Sequence, residues 1–403
     1  MQRRRFISQL ALAATPALAA SSAEAEHTLV HVFLRGGADT LNMIVPVADD
    51  RYHRLRPSLA IAANQAIDLG GHYALHPRLQ PLEAAFKEGR FGAVQAVGVD
   101  NDSGSHFECQ DQMEHGDSAQ TRPAGGGWLG RFLRLHPAHA GSALSAVAIG
   151  STLPESLRGA PAASVLQQLS DISLKGDGTQ AVVSALQRLY GSEVSLLGQS
   201  GQQTLDLFKR VSELQQASQP PQHGALYPKD PFAEGLREIA RLIKARLGLR
   251  VACLDLGGWD THFFQGSSTG SQAQRIGLLA ESLAAFERDL SDQRRLYTVM
   301  ITTEFGRRIY ENASLGTDHG RGFALMALGH RVKGGRILGQ WPIQSEEDLN
   351  LNTPGPGGLH AQTDYRSVFA EVLRACFGQS LNSAAIFPDA KLDLRPTGLM
   401  SFS

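Results

Sequence analysis

Val251-Ala252-Cys253-Leu254-Asp255-Leu256 runs directly into Gly257-Gly258-Trp259-Asp260-Thr261-His262, and the reading of this stretch decides the fold. A short, almost wholly apolar run closed by paired glycines predicts a strand buried on both faces; a helix would need about ten residues or more. The glycines let the backbone turn tightly while it presents a carboxylate and an imidazole together. The same plan returns further on. Tyr297–Thr303 is a second apolar, β-branched run, followed by Glu304, Arg307 and then Gly316-Thr317-Asp318-His319-Gly320. A third, Thr28–Leu34, ends in Arg35-Gly36-Gly37-Ala38-Asp39. One Asp-His pair alone reads as a capped turn. Two pairs, with a further Asp and further His in comparable settings, read as a site for a divalent cation.

The remaining elements alternate in the same way. Helices are expected over Leu79–Glu88, Phe107–His115, Pro231–Leu247, Ser271–Asp289 and Asp364–Cys376. Strands are expected over Phe91–Val99, Ser145–Gly150, Phe323–Leu328 and Gly335–Leu338. Strands alternating with helices predict an α/β fold of three layers, α/β/α, around a mainly parallel sheet. Ligands bind such sheets outside the carboxyl ends of the strands, where all the polar turns above fall. A polar-apolar tract over about 170–219, broken near Gly191 and Gly198–Gly201 and closed by Pro220-Pro221, predicts a helical insertion.

The N-terminus reads as a targeting segment. Arg3-Arg4-Arg5-Phe6-Ile7 fits the twin-arginine pattern, the run Ile7–Ala20 is mildly apolar, and Ala23-Glu24-Ala25 fits a small-residue cleavage site. Residues 1–25 are therefore expected to be a signal peptide and 26–403 one domain, periplasmic or secreted by the twin-arginine route. No later stretch reaches the ~20 apolar residues of a membrane span. With 38 Lys and Arg against 39 Asp and Glu, the balanced charge points to no nucleic-acid partner. The three cysteines, Cys109, Cys253 and Cys376, form neither a disulfide framework nor a zinc knuckle, and buried free thiols are the default.

The candidate chemistry lies on the strand-end residues. Ser105, at a helix start with His106, could attack phosphorus or sulfur if a neighbouring metal ionised it; the alternative is an ordinary N-cap. Arg307 could grip a phosphate with two parallel hydrogen bonds, or form a salt bridge to Glu304 or Glu311.

Arg35-Gly36-Gly37-Ala38-Asp39-Thr40-Leu41-Asn42, Ser105-His106-Phe107, Gly258-Trp259-Asp260-Thr261-His262, Thr303-Glu304-Phe305-Gly306-Arg307 and Asp318-His319-Gly320 together resemble the exported bacterial family called domain of unknown function 1501. That family is grouped by fold with the alkaline-phosphatase and sulfatase superfamily. The resemblance implies one or two divalent ions (zinc, manganese or calcium). It would put Asp39, Asp318 and His319 around one ion beside Ser105, and Asp260, His262 and His360 around the other. The Asp260–His262 spacing is tighter than phosphatases use, and Gly104 stands where relatives often carry Arg. No Cys/Ser-x-Pro-x-Arg motif is present, which disfavours a formylglycine sulfatase.

The expected function is an exported metal-dependent hydrolase of phosphate or sulfate esters, acting on a small-molecule or polymer substrate. The alternative is a non-catalytic exported protein that keeps the fold to bind or assemble, with the insertion as the surface for a protein partner.

Overall fold

The computed structural model describes residues 27–99, 103–117, 125–137, 144–169, 179–191, 220–349, 357–389 and 391–402, with some positions between 198 and 212. The expected signal peptide, Asp100–Asp102 and most of the expected insertion lie outside the described residues. Thr179–Gly191, a helix, is the longest described stretch of that insertion.

The main sheet is built from β1 (Thr28–Leu34), β2 (Phe91–Gly98), β3 (Ala146–Ile149), β4 (Ala163–Leu166), β5 (Val251–Leu256), β6 (Tyr297–Thr302), β7 (Phe323–Gly329), β8 (Ile337–Leu338) and β9 (Thr363–Asp364). Their order across the sheet is β8-β2-β7-β6-β1-β5-β3-β4, with β9 beside β2. β1 lies at the centre, parallel to β5 and β6, so that Val32 has Leu254 on one side and Ile301 on the other. β7 runs antiparallel to both its neighbours, β2 and β6. The sheet is therefore mixed but mainly parallel. The carboxyl ends of β1, β5 and β6 emerge side by side at one edge.

Alternation along the strands fills two separate cores, as period-two side-chain geometry requires. Val30, Val32 and Leu34 of β1 face one core, with Leu236, Ile239 and Ile243 of the helix Pro231–Ala245 and Ile276, Leu279 and Leu283 of the helix Ser271–Asp289. Leu29 and Phe33 face the other, with Trp128, Leu129 and Phe132 of the helix Trp128–Leu135 and Val368, Phe369 and Val372 of the helix Tyr365–Phe377. The result is the three-layer α/β/α arrangement. Two helix starts carry side-chain caps: Asp230 accepts from the Phe232 amide ahead of Pro231, and Asp364 accepts from the Arg366 amide.

Some elements depart from expectation. Leu79–Glu88 is a 3₁₀ turn, Pro77–Leu82, running into a short α-helix, Glu83–Lys87, because Pro81 has no amide to continue an α pattern. β4 and a small sheet of Ile44–Val45, Ala74–Leu75 and Ile67–Asp68 are too short to carry a periodic signal. Cys109, Cys253 and Cys376 are buried and free. Among the described residues, no helix is long and apolar enough to cross a membrane.

Candidate metal centre

Three glycine-rich loops leave the carboxyl ends of β1, β5 and β6 and close over one another. Gly36, after β1, takes a positive φ of 117°, and a Cβ there would sit 2.7 Å from the Asp260 amide nitrogen. Gly316, before Asp318, lies so close to the His262 backbone that a Cβ would overlap it. Only glycine permits these approaches.

Arg307 locks the loops together. It is fully buried, and its guanidinium donates to the carbonyls of Gly36 and Gly37 after β1, Trp259 after β5 and Thr317 beyond β6. Its Nη2 also donates to Asp260 Oδ1 at 2.7 Å. The residue expected to grip a phosphate is thus buried and engaged by the protein itself, and it pairs with neither Glu304 nor Glu311. It is a strut whose one side-chain partner is Asp260.

Asp260 Oδ1 is the point on which the imidazoles converge. His262 Nε2 lies 3.0 Å from it, His319 Nε2 3.3 Å and His106 Nε2 3.4 Å. The Nε2 atoms of His262 and His319 are 2.9 Å apart. Ligand atoms of His106, Asp260 and His319 all lie within 4.8 Å of one another.

Each ring is pinned through its other nitrogen. His106 Nδ1 donates to Glu304 Oε1 at 2.8 Å, His262 Nδ1 to Asp318 Oδ1 at 2.9 Å, and His319 Nδ1 to the Gly104 carbonyl at 2.7 Å. All three of these acceptors are oxygens, and with the proton on Nδ1 each ring turns an Nε2 lone pair towards Asp260. Glu304 is itself fixed, accepting from the Gly36 amide and Gln110 as well. Asn312 orients Asp318 while holding the His262 carbonyl.

The electrostatics agree with this arrangement. Burial opposes ionisation of Asp260, yet the hydrogen bond and charge of Arg307, with His262 and His319 beside it, bring its pKa down to about 2. Burial likewise opposes ionisation of Glu304, and hydrogen bonds from His106 and Gln110 outweigh it, holding the carboxyl below its usual range. The bond to Glu304 in turn raises the His106 pKa and makes that ring a stronger base. Burial lowers the His319 pKa, which disfavours the charged ring.

These residues fit a divalent cation. His106 Nε2 is buried and has no hydrogen-bond partner. The His262 and His319 Nε2 atoms, 2.9 Å apart, need a shared proton or a cation between them. Donors at ~2.0–2.2 Å from a tetrahedral ion sit ~3.4 Å from each other, close to the 3.3 and 3.4 Å between Asp260 Oδ1 and the Nε2 atoms of His319 and His106.

The expected ligands divide. Asp260, His262 and His319 come together, in one cluster where two were expected. Asp318 adjoins the cluster through its bond to the Nδ1 of His262. Asp39 does not join: both its carboxylate and Arg56 are fully buried, Arg56 Nη1 donates to Oδ2 at 2.6 Å and Nη2 to Oδ1 at 3.1 Å, and Gln265 Nε2 donates to Oδ2 at 2.7 Å. The local turn resembles that of Asp260, but a guanidinium occupies the place a cation would take. His360 is exposed and lies outside the cluster. Ser105 stands at the N-cap of the helix His106–His115, yet its side chain makes no capping bond. His106, absent from the expected ligands, points an unpartnered nitrogen into the site. The signal in the sequence was its place at a helix start directly after Ser105.

The profile of the family described as "Protein of unknown function (DUF1501)" matches residues 86–354, more than half of the chain. The chain belongs to this family. No curated protein matches the sequence. Among solved structures, this family member is similar to the PsFucS1 sulfatase from Pseudoalteromonas sp., at 11% identity and a TM-score of 0.37, over 93% of this chain and 73% of that one. It is also similar to the phosphonate monoester hydrolase of Agrobacterium radiobacter (10% identity, TM-score 0.33, 78% and 71% covered). A third is the C-terminal periplasmic domain of EcEptC from Escherichia coli in complex with Zn (9% identity, TM-score 0.34, 75% and 73% covered).

Asp39→Asn would leave the Arg56 guanidinium buried beside a neutral amide. The expected cost is roughly 3–5 kcal/mol of folding stability, read as a lower denaturant midpoint, with the metal content of the folded protein unchanged. Metal loss at an unchanged midpoint would instead return Asp39 to the ligand set.

Proposed function

We propose that this chain is an exported hydrolase of phosphate or sulfate esters that works with one divalent cation held by His106, His262, His319 and Asp260. The observation that carries this reading is the common pinning of the three rings: each Nδ1 is spent on an oxygen acceptor and each Nε2 is aimed at Asp260. Such carboxylate- or carbonyl-oriented imidazoles are the usual support of metal sites. A donor set rich in nitrogen suits zinc and argues against calcium, which takes oxygen ligands. Bound there, the ion would supply a Lewis acid that neutralises charge on the ester's non-bridging oxygens.

The chain's own residues supply the rest. Arg307 keeps Asp260 ionised and in place. Glu304, Asp318 and the Gly104 carbonyl hold the rings in one tautomer. Ser105 sits between Gly104 and His106, so its hydroxyl shares the loop that contacts His319 and begins the helix carrying the His106 ring. The helix N-terminus there favours an anion. A serine at an N-cap that makes no capping bond is available as the nucleophile. The non-catalytic alternative gains nothing from this geometry, since a binding module needs no convergent lone pairs. Export rests on the twin-arginine pattern at Arg3-Arg4; Arg3→Lys with Arg4→Lys should leave precursor in the cytoplasm, and an undiminished periplasmic yield would reject the route.

Ligand and support residues should separate in assay. His106→Ala and His319→Ala are expected to abolish metal binding. Glu304→Gln and Asp318→Asn, which only loosen a ring, should weaken it about 10–100-fold. Ser105→Ala should keep the metal and the melting temperature while losing turnover of a generic phosphodiester such as bis(p-nitrophenyl) phosphate. Full metal content in His319→Ala would reject the site. Turnover retained in Ser105→Ala would remove the serine from the chemistry.

A further inference from the structure

Exposed phenylalanines stand directly beside two of the cluster histidines. Phe107 follows His106 and is 87% exposed, while Phe263 and Phe264 follow His262 and are 69% and 74% exposed. The Phe263 ring centroid lies 6.4 Å from that of His262. Single exposed apolar side chains need no explanation, but several gathered around one polar cluster mark a contact surface. The Asp260 and Asp318 side chains are 47% and 45% exposed, so the cluster opens to solvent.

The backbone is held in an unfavourable form to present the rings. Phe264 has a φ of 46° and Leu315 a φ of 57°, in the left-handed region that side chains with a Cβ avoid. The Phe264 amide donates to the Ser314 carbonyl at 3.0 Å and the Gln265 amide to the Leu315 carbonyl at 2.9 Å, which stitches the His262 turn to the loop before Asp318. Gln265 is fully buried beneath, bonded to Asp39, Thr261 and Thr317. The aromatic turn is therefore rooted in the core and does not float on a loose loop. Leu315, 44% exposed, extends the apolar edge beside Phe264.

We infer that Phe107, Phe263 and Phe264 receive the apolar part of the substrate, so that the site takes phosphate or sulfate esters of aromatic or alkyl groups in preference to esters of polyols. This rests on the function proposed above and adds its substrate class. An ester whose charged end reaches the donor cluster must pass its organic group over residues adjoining the ligands, and the residues directly following His106 and His262 are these rings. Shielding an apolar group against them should raise affinity about tenfold.

The test is calorimetric binding of methylphosphonate, phenylphosphonate and octylphosphonate to the zinc-loaded full chain. Phenyl- and octylphosphonate should bind about tenfold more tightly than methylphosphonate. Tighter binding of octyl than phenyl would identify an alkyl amphiphile as the natural class, and the reverse an aryl ester. In Phe107→Ser with Phe263→Ser the preference should vanish, with zinc content and methylphosphonate affinity unchanged. Phe264→Gly, which suits the left-handed backbone, should melt no lower than wild type and still lose part of the preference. Equal affinity for methyl and phenyl ligands in wild type, or a preference surviving in the double variant, would overturn the inference alone. Failure of a zinc-loaded chain to bind any phosphonate would overturn the ester-hydrolase reading and this inference with it.

Discussion

The site depends on one buried guanidinium. Arg307 takes carbonyls from three loops that the chain reaches at widely separated points, after β1, after β5 and beyond β6. A buried arginine without acceptors would be strongly destabilising, so its donors must be met, and meeting them brings Gly36, Trp259 and Thr317 within one hydrogen-bond length of a single side chain. The last donor contact falls on Asp260. Loop closure and placement of the cluster's carboxylate are therefore one event. Lysine could not substitute, because a point charge with three donors lacks the planar fork that spans these acceptors.

Around that carboxylate the labour is divided by distance from the strand ends. Asp260, His262, His319 and His106 turn their donor atoms inward, while Glu304, Asp318 and the Gly104 carbonyl stand behind the rings and decide which nitrogen carries the proton. Asp39 belongs to neither group. With Arg56 and Gln265 it forms a buried, charge-balanced brace beneath the cluster, and Gln265 links that brace to the Thr261 and Thr317 hydroxyls of the two loops above. The same buried glutamine roots the turn that exposes Phe264. Rigidity below and exposure above are parts of one construction.

Much of this frame was readable in the chain. β1, β5 and β6 are apolar on both faces because helices cover the sheet on both sides, and the glycines that follow them mark turns too tight for side chains. Asp260, His262 and His319 could be picked out because acid and imidazole fall close together in such turns. Asp39 sits in a turn of the same look, and nothing local distinguishes it. Its partner Arg56 lies on the far side of a short helix, and only the tertiary fold brings the two together. His106 was the reverse case. Its neighbour Ser105 drew the attention, whereas its own role depends on Glu304, which lies on the loop after β6 and faces it only in the folded molecule. Arg307 misled for a related reason: an arginine beside a candidate site suggests an anion clamp until its guanidinium is seen to be spent on loop carbonyls and Asp260.

The central claim is that a single cation is held by three imidazoles and one carboxylate. X-ray absorption at the metal edge of the zinc-loaded full chain, with metal counted per chain on the same sample, tests it most directly. The expected result is one ion per chain, with nitrogen and oxygen donors at ~2.0–2.2 Å and the multiple-scattering signature of three imidazole rings. A shell dominated by oxygen with one ring or none, or two ions per chain, would contradict it.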